Sequence, residues 1–386
     1  MPYFDNAATT FPKPEPVYDF MDRFYRDCGV NIGRGQHKQA SVAGKLRDET
    51  RELLLDLFHC PQKKAVFTHS ATEAINVILQ GLVISDNCNI YLSPFEHNAV
   101  TRVIHHLQSK YELNILTLSV DRDTLSYDLD KIEQQFADDK PDFVIVSHAS
   151  NVCGVVAPIK AICELSKKHN HKVVNVIDMA QTAGLIDTDL SSNIFDFAVF
   201  AGHKTLYGPF GIAGFICNGE VTPKPLLYGG TGNDSGRQSL PATIPAMYEV
   251  GSPNVAAIAG LNAALKWIAK TGKENILATE RKNHEMLLEV LNGFESVQII
   301  ESKKICDNAR SIDSIGIVSC MFDGYDSDSV GQILSEHDIA VRTGYHCAPY
   351  AHKFLNTFPA GTVRFSVGYF NTQEDFEKLR NCICNI

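Results

Sequence analysis

Short runs of β-branched and aromatic residues alternate with amphipathic stretches through the first two thirds of this chain, and that alternation limits the fold more than any other feature. Ala65-Val66-Phe67-Thr68 reads as a strand, followed by a helix through Glu73 to Leu79. Phe143-Val144-Ile145-Val146 is a second strand, with a helix from Ile159 to His169 behind it. Val173 to Ile177 and Phe195 to Phe200 are two more apolar runs with little polar alternation. Runs of this kind suit strands covered on both faces, and strand–helix repetition implies an α/β fold with a mainly parallel sheet. After about residue 250 the pattern changes: a helix from Val255 to Lys270, strands at Ile315–Phe322 and Thr362–Val367, and a helix at Ser327–Glu336 predict a smaller α+β domain. No internal repeat or Gly/Ser linker marks the junction.

Composition excludes several classes of function. The 386 residues are 44% apolar and 21% charged, with a net charge of −10, the profile of a globular chain without the basic face that nucleic acid demands. No apolar run reaches the roughly 18 residues a membrane span needs. Met1-Pro2-Tyr3-Phe4-Asp5-Asn6 lacks the basic and apolar regions of a signal peptide, so a cytoplasmic location is the expectation. The eleven cysteines include no CxxC pair, which disfavours structural zinc, and their odd number without an export signal disfavours a disulfide framework. Most read as small buried hydrophobes.

Ligands of open parallel sheets bind beyond the carboxyl ends of the strands. Behind the first strand lies His69-Ser70-Ala71-Thr72-Glu73, with capping-box spacing and free N–H groups suited to a phosphate, although an ordinary helix cap has the same pattern. The next strand ends deliver Asn151, then Asp178 and Gln181, then His203 and Lys204, before the glycine-rich Tyr207-Gly208-Pro209-Phe210-Gly211. A lysine near an anion site, with an aspartate on a neighbouring strand, is the arrangement pyridoxal 5′-phosphate requires: the lysine forms a Schiff base and the carboxylate pairs with the pyridinium nitrogen. Neither GxxxxGK[ST] nor a GxGxxG after the first strand is present, so the competing phosphate devices are missing.

Asp5-Asn6-Ala7-Ala8-Thr9-Thr10, Asn31-Ile32-Gly33-Arg34-Gly35, Glu96-His97-Asn98, Asp178-Met179-Ala180-Gln181, Gly202-His203-Lys204 and Arg342-Thr343-Gly344-Tyr345-His346-Cys347-Ala348-Pro349 together resemble the cysteine desulfurases. With the selenocysteine lyases, these belong to the class V aminotransferase group of fold type I pyridoxal phosphate enzymes. The resemblance implies a large cofactor-binding α/β domain over 15–250 and a smaller α+β domain from 1–14 and 251–386. It implies Lys204 as the Schiff-base lysine, Asp178 at the ring nitrogen, Gln181 at the phenolic oxygen and His97 stacked on the ring. Thr72, the backbone of Ala71, and His203 are expected at the phosphate, with Ser252 reaching it from the partner of a homodimer. Arg364 is expected to bind the substrate carboxylate beside Asn151, which is expected at the cofactor as well, with Arg342 and Arg34 as further substrate-binding residues. Cys347 stands where the family places its nucleophile.

The activity so implied converts L-cysteine to L-alanine, with the sulfur passing to Cys347 as a persulfide, Lys204 taking the α-proton and His97 serving as acid–base partner to the substrate thiol. The short segment before Cys347 resembles the second group of the family, whose compact cysteine loop predicts dependence on a sulfur-acceptor protein. Two departures stand out: Ala201 replaces the usual serine or threonine before Gly202-His203-Lys204, and Gly33 replaces a histidine. A selenocysteine lyase acting on L-selenocysteine, another class V reaction such as transamination or epimerisation, and a non-catalytic sulfur-relay scaffold remain open alternatives at this level.

Overall fold

In a computed structural model, residues 1–32, 35–232, 236–300 and 313–384 are described. Helices α1 (Glu15–Cys28) and α2 (Lys38–Leu57) precede β1 (Lys64–Thr68), α3 (Ala71–Gly81), β2 (Asn89–Leu92), α4 (Asn98–Gln108), β3 (Asn114–Thr117) and α5 (Leu129–Asp138). Next come β4 (Phe143–Ser147), α6 (Ile159–His169), β5 (Val174–Asp178), β6 (Phe197–Ala201) and β7 (Ala213–Cys217). The remainder is α7 (Val255–Thr271), α8 (Lys273–Asn292), β8 (Val297–Ile300), β9 (Ile317–Phe322), α9 (Ser327–Glu336), β10 (Arg342–Gly344), α10 (Pro349–Phe354), β11 (Thr362–Ser366) and α11 (Gln373–Ile383). Helices α6 and α9 coincide with the spans read from periodicity. No described helix is long and apolar enough to cross a membrane.

The larger sheet has the order β1-β7-β6-β5-β4-β2-β3. Every strand runs parallel to its neighbours except β7, which is antiparallel to both β1 and β6. Side chains alternate between the two faces of a strand, and both faces here are buried. Val144, Val146, Ile177, Ala198 and Phe200 enter one core with residues of α2, α6 and α7. Phe143, Ile145, Val174, Val176, Phe197 and Val199 enter the other with α3 and α4. That two-sided burial is why these strands read as unbroken apolar runs. Helix α7 lies beyond the boundary expected at residue 250, yet its Ala257, Ile258, Leu261, Leu265 and Ile268 pack in the first of these cores.

The second sheet is antiparallel, in the order β10-β11-β9-β8. Its core draws in Phe4 from the far end of the chain together with Leu287, Val318, Val363, Phe365 and Phe376. Bridges from Tyr3 to Ala340 and from Asp5 to Ser366 lay the N-terminal residues along this sheet. The N-terminal tail therefore touches both the second sheet and, a few residues on, the ends of β5 and β6.

Candidate active site

A cavity of about 240 Å³ opens at the carboxyl ends of β4, β5 and β6, which are adjacent in the sheet. Its lining includes Ala71, Thr72, His97, Asn151, Asp178, Gln181, His203, Lys204, Arg342 and Arg364. These ten of the expected residues thus share one space, gathered from strand ends, two helix starts and the second sheet.

Lys204 follows β6. Burial lowers its ammonium to about 8, against the pull of the Asp178 carboxylate, while Arg364 and Arg342 push it the same way as burial. Asp178 closes β5; burial raises its carboxyl, with the Ala180 N–H (2.9 Å to Oδ1) and Lys204 opposing. Gln181 donates from Nε2 to the Ala7 carbonyl at 2.9 Å. His203 stacks on Phe210 with ring centroids 4.6 Å apart, and burial pushes it down to about 3. The peptide carrying these two residues is held from beneath. Lys13 donates to the His203 carbonyl at 2.6 Å, and Thr10 Oγ1 donates to the Lys204 carbonyl at 3.0 Å. Lys13 is itself buried, which lowers it to about 7.

At the start of α3, Ser70 Oγ accepts from the Glu73 N–H at 3.1 Å, and Glu73 Oε2 accepts from the His69 N–H at 2.8 Å. The cap reading of this motif is therefore realised. It coexists with the anion reading, because Ala71 and Thr72 line the cavity from the first turn of a helix, where N–H groups lack intrahelical acceptors.

His97 caps α4, its Nδ1 accepting from the Ala99 N–H at 3.0 Å. Burial, then the charges of Lys204, Arg342, Arg364 and Arg102, lower the ring to about 4. It is neutral near pH 7, with its single hydrogen on Nε2. The ring lines both the Lys204 cavity and the groove of Cys347, where the acid–base role expected of it would be exercised. Glu96 beside it is fully buried and accepts from Ser93 Oγ (2.6 Å), Ser147 N (2.6 Å) and Ser147 Oγ (2.9 Å), yet burial still raises it to about 7.

Arg364, on β11, is 1% exposed. Its Nη2 donates to Asp5 Oδ1 at 2.6 Å and its Nη1 to the Asn151 carbonyl at 3.0 Å. A guanidinium has five N–H donors, so these two bonds leave donors for another anion, and Arg364 Nε is buried without a partner. Arg342 pairs with Arg364 across the register of β10 and β11.

Cys347 lies among Tyr345, His346 and Ala348, the short link between β10 and α10. His346 and Cys347 both adopt left-handed backbone, φ +48° and +59°, a conformation costly for residues with a Cβ. The turn is pinned by several hydrogen bonds, three of them at Cys347 and the His346 carbonyl. Asn98 N–H donates to the Cys347 carbonyl at 2.7 Å, Asn151 Nδ2 to the His346 carbonyl at 2.6 Å, and Arg342 Nη2 to Cys347 Sγ at 3.0 Å. Cys347 does not line the Lys204 cavity itself; it lines an adjoining groove that shares Thr72, His97 and Ala99 with it.

Ser252 sits elsewhere, in a separate cavity of about 320 Å³, where its Oγ accepts from Asn31 Nδ2 at 3.2 Å. Gly33, Arg34 and Cys306 lie outside the described residues. The other ten cysteines are unpaired. Sequence reasoning gave no role to Asp5, Lys13, Glu96 or Asn98. Three of them stand inside or beside quoted motifs, but only the fold shows what they hold.

The cavity fits pyridoxal 5′-phosphate on its own chemistry. A half-buried lysine with a lowered ammonium pKa, a buried carboxyl on the next strand and a helix start meet in one space, and the buried His203 Nδ1 has no hydrogen-bond partner.

Residues 2–379 match the model of the family described as aminotransferase class-V. The chain is 31% identical over 382 residues to a probable cysteine desulfurase of Pyrococcus abyssi, covering 97% of this chain and 91% of that protein. It is 32% identical over 386 residues to a probable cysteine desulfurase of Haemophilus influenzae, covering 97% and 83%. Among solved structures, it resembles an apo cysteine desulfurase from Thermococcus onnurineus NA1 with a TM-score of 0.89 at 29% identity, over 99% of this chain and 93% of that one.

Proposed function

From the premise that this chain belongs to the class V aminotransferase family, among the cysteine desulfurases it matches, we propose that it converts L-cysteine to L-alanine and receives the sulfur on Cys347 as a persulfide. Pyridoxal 5′-phosphate, when bound, supplies a carbonyl for the substrate amine and a ring that accepts the electron pair released at the α-carbon. Lys204 would carry that group, Asp178 would pair with its ring nitrogen, Gln181 would bond its phenolic oxygen, and His97 would stack on its ring. Ala71 N–H, Thr72 and His203 would hold the phosphate, and in a homodimer Ser252 of one protomer would serve the cavity of its partner.

The residues of the chain divide the remaining work. Arg364 holds the substrate carboxylate beside Asn151, with Asp5 fixing the guanidinium. Lys204 Nζ, near 8 and so partly unprotonated at neutral pH, takes the α-proton and returns it. The Cys347 thiolate attacks the substrate sulfur. An S–S bond forms as the C–S bond breaks, and the electron pair stays with the β-carbon and is protonated. One L-cysteine and one thiol become one L-alanine and one persulfide, with no outside oxidant. The compact anchorage of the Cys347 turn keeps the persulfide at the site, so a sulfur acceptor has to approach it there.

The observation that carries this reading is Arg342 Nη2 at 3.0 Å from Cys347 Sγ, where the groove of the cysteine meets the cavity of Lys204. Its test is mass spectrometry of the purified protein after L-cysteine. One added sulfur on Cys347, with alanine in solution and neither product from Cys347→Ala, is expected. Sulfur on another cysteine, or pyruvate in place of alanine, overturns it.

A further inference from the structure

The groove that begins at Cys347 runs between α3 and α4, with a volume of about 430 Å³. One wall is Thr72, Asn76 and Gln80, and the other is Asn98, Arg102 and His106. Each set recurs every four residues, so each forms a straight row on one helix face. The first wall is polar, uncharged and internally tied: Gln80 Nε2 donates to Asn76 Oδ1 at 2.6 Å, and Asn76 Nδ2 to the Thr72 carbonyl at 2.8 Å. The second starts where Asn98 N–H holds the Cys347 carbonyl. At 1.5 Å per residue, Arg102 stands about 6 Å and His106 about 12 Å further along the helix axis.

The charge of this groove runs against that of the chain. The whole protein carries −10, yet among the described residues no Asp or Glu lines the groove, and its one permanent charge is the Arg102 guanidinium. Arg102 is exposed and has no ion-pair partner among the described residues. It does not line the Lys204 cavity. A cation without a counterion among the described residues, in the groove that a sulfur nucleophile also lines, selects a ligand that carries negative charge as well as its reacting atom.

We propose that the groove binds the sulfur acceptor, and that this acceptor is a thiol whose own chain carries carboxylates, one of them meeting Arg102. The proposal rests on the persulfide reading above. The step is an exchange: the acceptor thiolate attacks the outer sulfur of the Cys347 persulfide, a new S–S bond forms, the old one breaks, and Cys347 leaves as thiolate. The acceptor departs as a persulfide, with no net oxidation.

The test uses protein first loaded with L-cysteine and desalted, with the persulfide on Cys347 confirmed by mass spectrometry. Glutathione and its diethyl ester are then compared as acceptors, since they share a thiol and differ in two carboxylates. Glutathione is expected to discharge the persulfide about two- to fivefold faster at low salt, the factor of an exposed ion pair, with the advantage shrinking as ionic strength rises. Arg102→Gln should abolish the difference, Arg102→Glu invert it, and Arg102→Lys retain it, while loading of Cys347 by L-cysteine is unchanged in all three. Equal rates for the two thiols, or a preference that survives Arg102→Gln, overturn the proposal. Absence of any persulfide before the thiol is added overturns instead the reading it rests on.

Discussion

Removing the Asp5 carboxylate should destabilise this protein more than its position near the chain end suggests. The partner is Arg364, 1% exposed, whose Nη2 meets Asp5 Oδ1 at 2.6 Å. Asp5→Ala leaves a guanidinium in the interior with one carbonyl and no counterion. Breaking a buried ion pair from one side costs about 3–5 kcal/mol. The Asp5 side chain is 22% exposed, so water can reach the gap, and about 3 kcal/mol is the better expectation. With an unfolding entropy of about 2.1 cal/mol/K per residue, a chain this long should lose about 4 °C in Tm. Arg364→Met in the same background removes the stranded charge and should recover most of the loss, which makes the double variant more stable than Asp5→Ala alone. The assay is thermal unfolding of wild type, Asp5→Ala, Asp5→Asn and the double variant in one buffer, with KM for L-cysteine as a second readout. Asp5→Asn keeps an acceptor oxygen and should fall between wild type and Asp5→Ala. Loss of the orienting carboxylate should raise KM more than it lowers kcat. An Asp5→Ala protein that unfolds at the wild-type temperature, or a double variant no more stable than it, refutes the reasoning.

Three further outcomes follow from the same geometry. Six histidines are pushed down by burial: His97, His148, His284 and His352 to about 4, His203 to about 3 and His346 to about 2. Each is neutral when folded and protonates on unfolding below about 6.5, so each makes stability fall as pH drops through the 6.5–4 window. Glu96 and Glu280, raised to about 7, act oppositely between about 4.5 and 7, and they are fewer; urea midpoints should therefore be lower at pH 5 than at pH 7. Ala201 is buried at the end of β6 and lines the Lys204 cavity. Ala201→Ser should tighten pyridoxal phosphate binding by about fivefold in apoprotein titrations, the worth of one hydrogen bond of about 1 kcal/mol. Gly361 has φ +73°, and a Cβ there would stand 2.9–3.0 Å from the backbone of Gly344, on the strand that leads into the Cys347 turn. Gly361→Ala should cost about 1–3 kcal/mol in chemical denaturation and slow persulfide formation, whereas Gly219→Ala, where a Cβ meets nothing within 4 Å, should leave persulfide formation at the wild-type rate.

Whether a residue of this site was legible in the sequence depended on how locally its position is determined. Asp178, Gln181, His203 and Lys204 follow strands whose apolar runs are unmistakable, and β4, β5 and β6 are neighbours in the sheet. Strand ends in an open parallel sheet share one edge, so reading residues just beyond each run sufficed to gather them. The same logic fails for β7. Ala213–Cys217 is apolar like the rest, but it inserts between β1 and β6 in the opposite direction, and nothing in a five-residue pattern encodes its partner or its sense. Strand β2, four residues beginning with Asn89, is too short to stand out from a loop. The cysteine half of the site is less local still. Cys347 gains its place from Asn98, Asn151 and Arg342, two of which lie roughly two hundred residues or more away in sequence. Asp5 reaches Arg364 only because the N-terminal tail bridges β11 at Ser366. Motif resemblance supplied those residues without their reasons. The physical reason is that the second sheet, with the N-terminal tail laid along it, closes over the strand ends of the first. The aspartate, the arginine and the nucleophile are therefore brought to the lysine by tertiary packing, and a variant that loosens that packing at Asp5 or Gly361 should impair sulfur transfer while Lys204 and Asp178 keep their places.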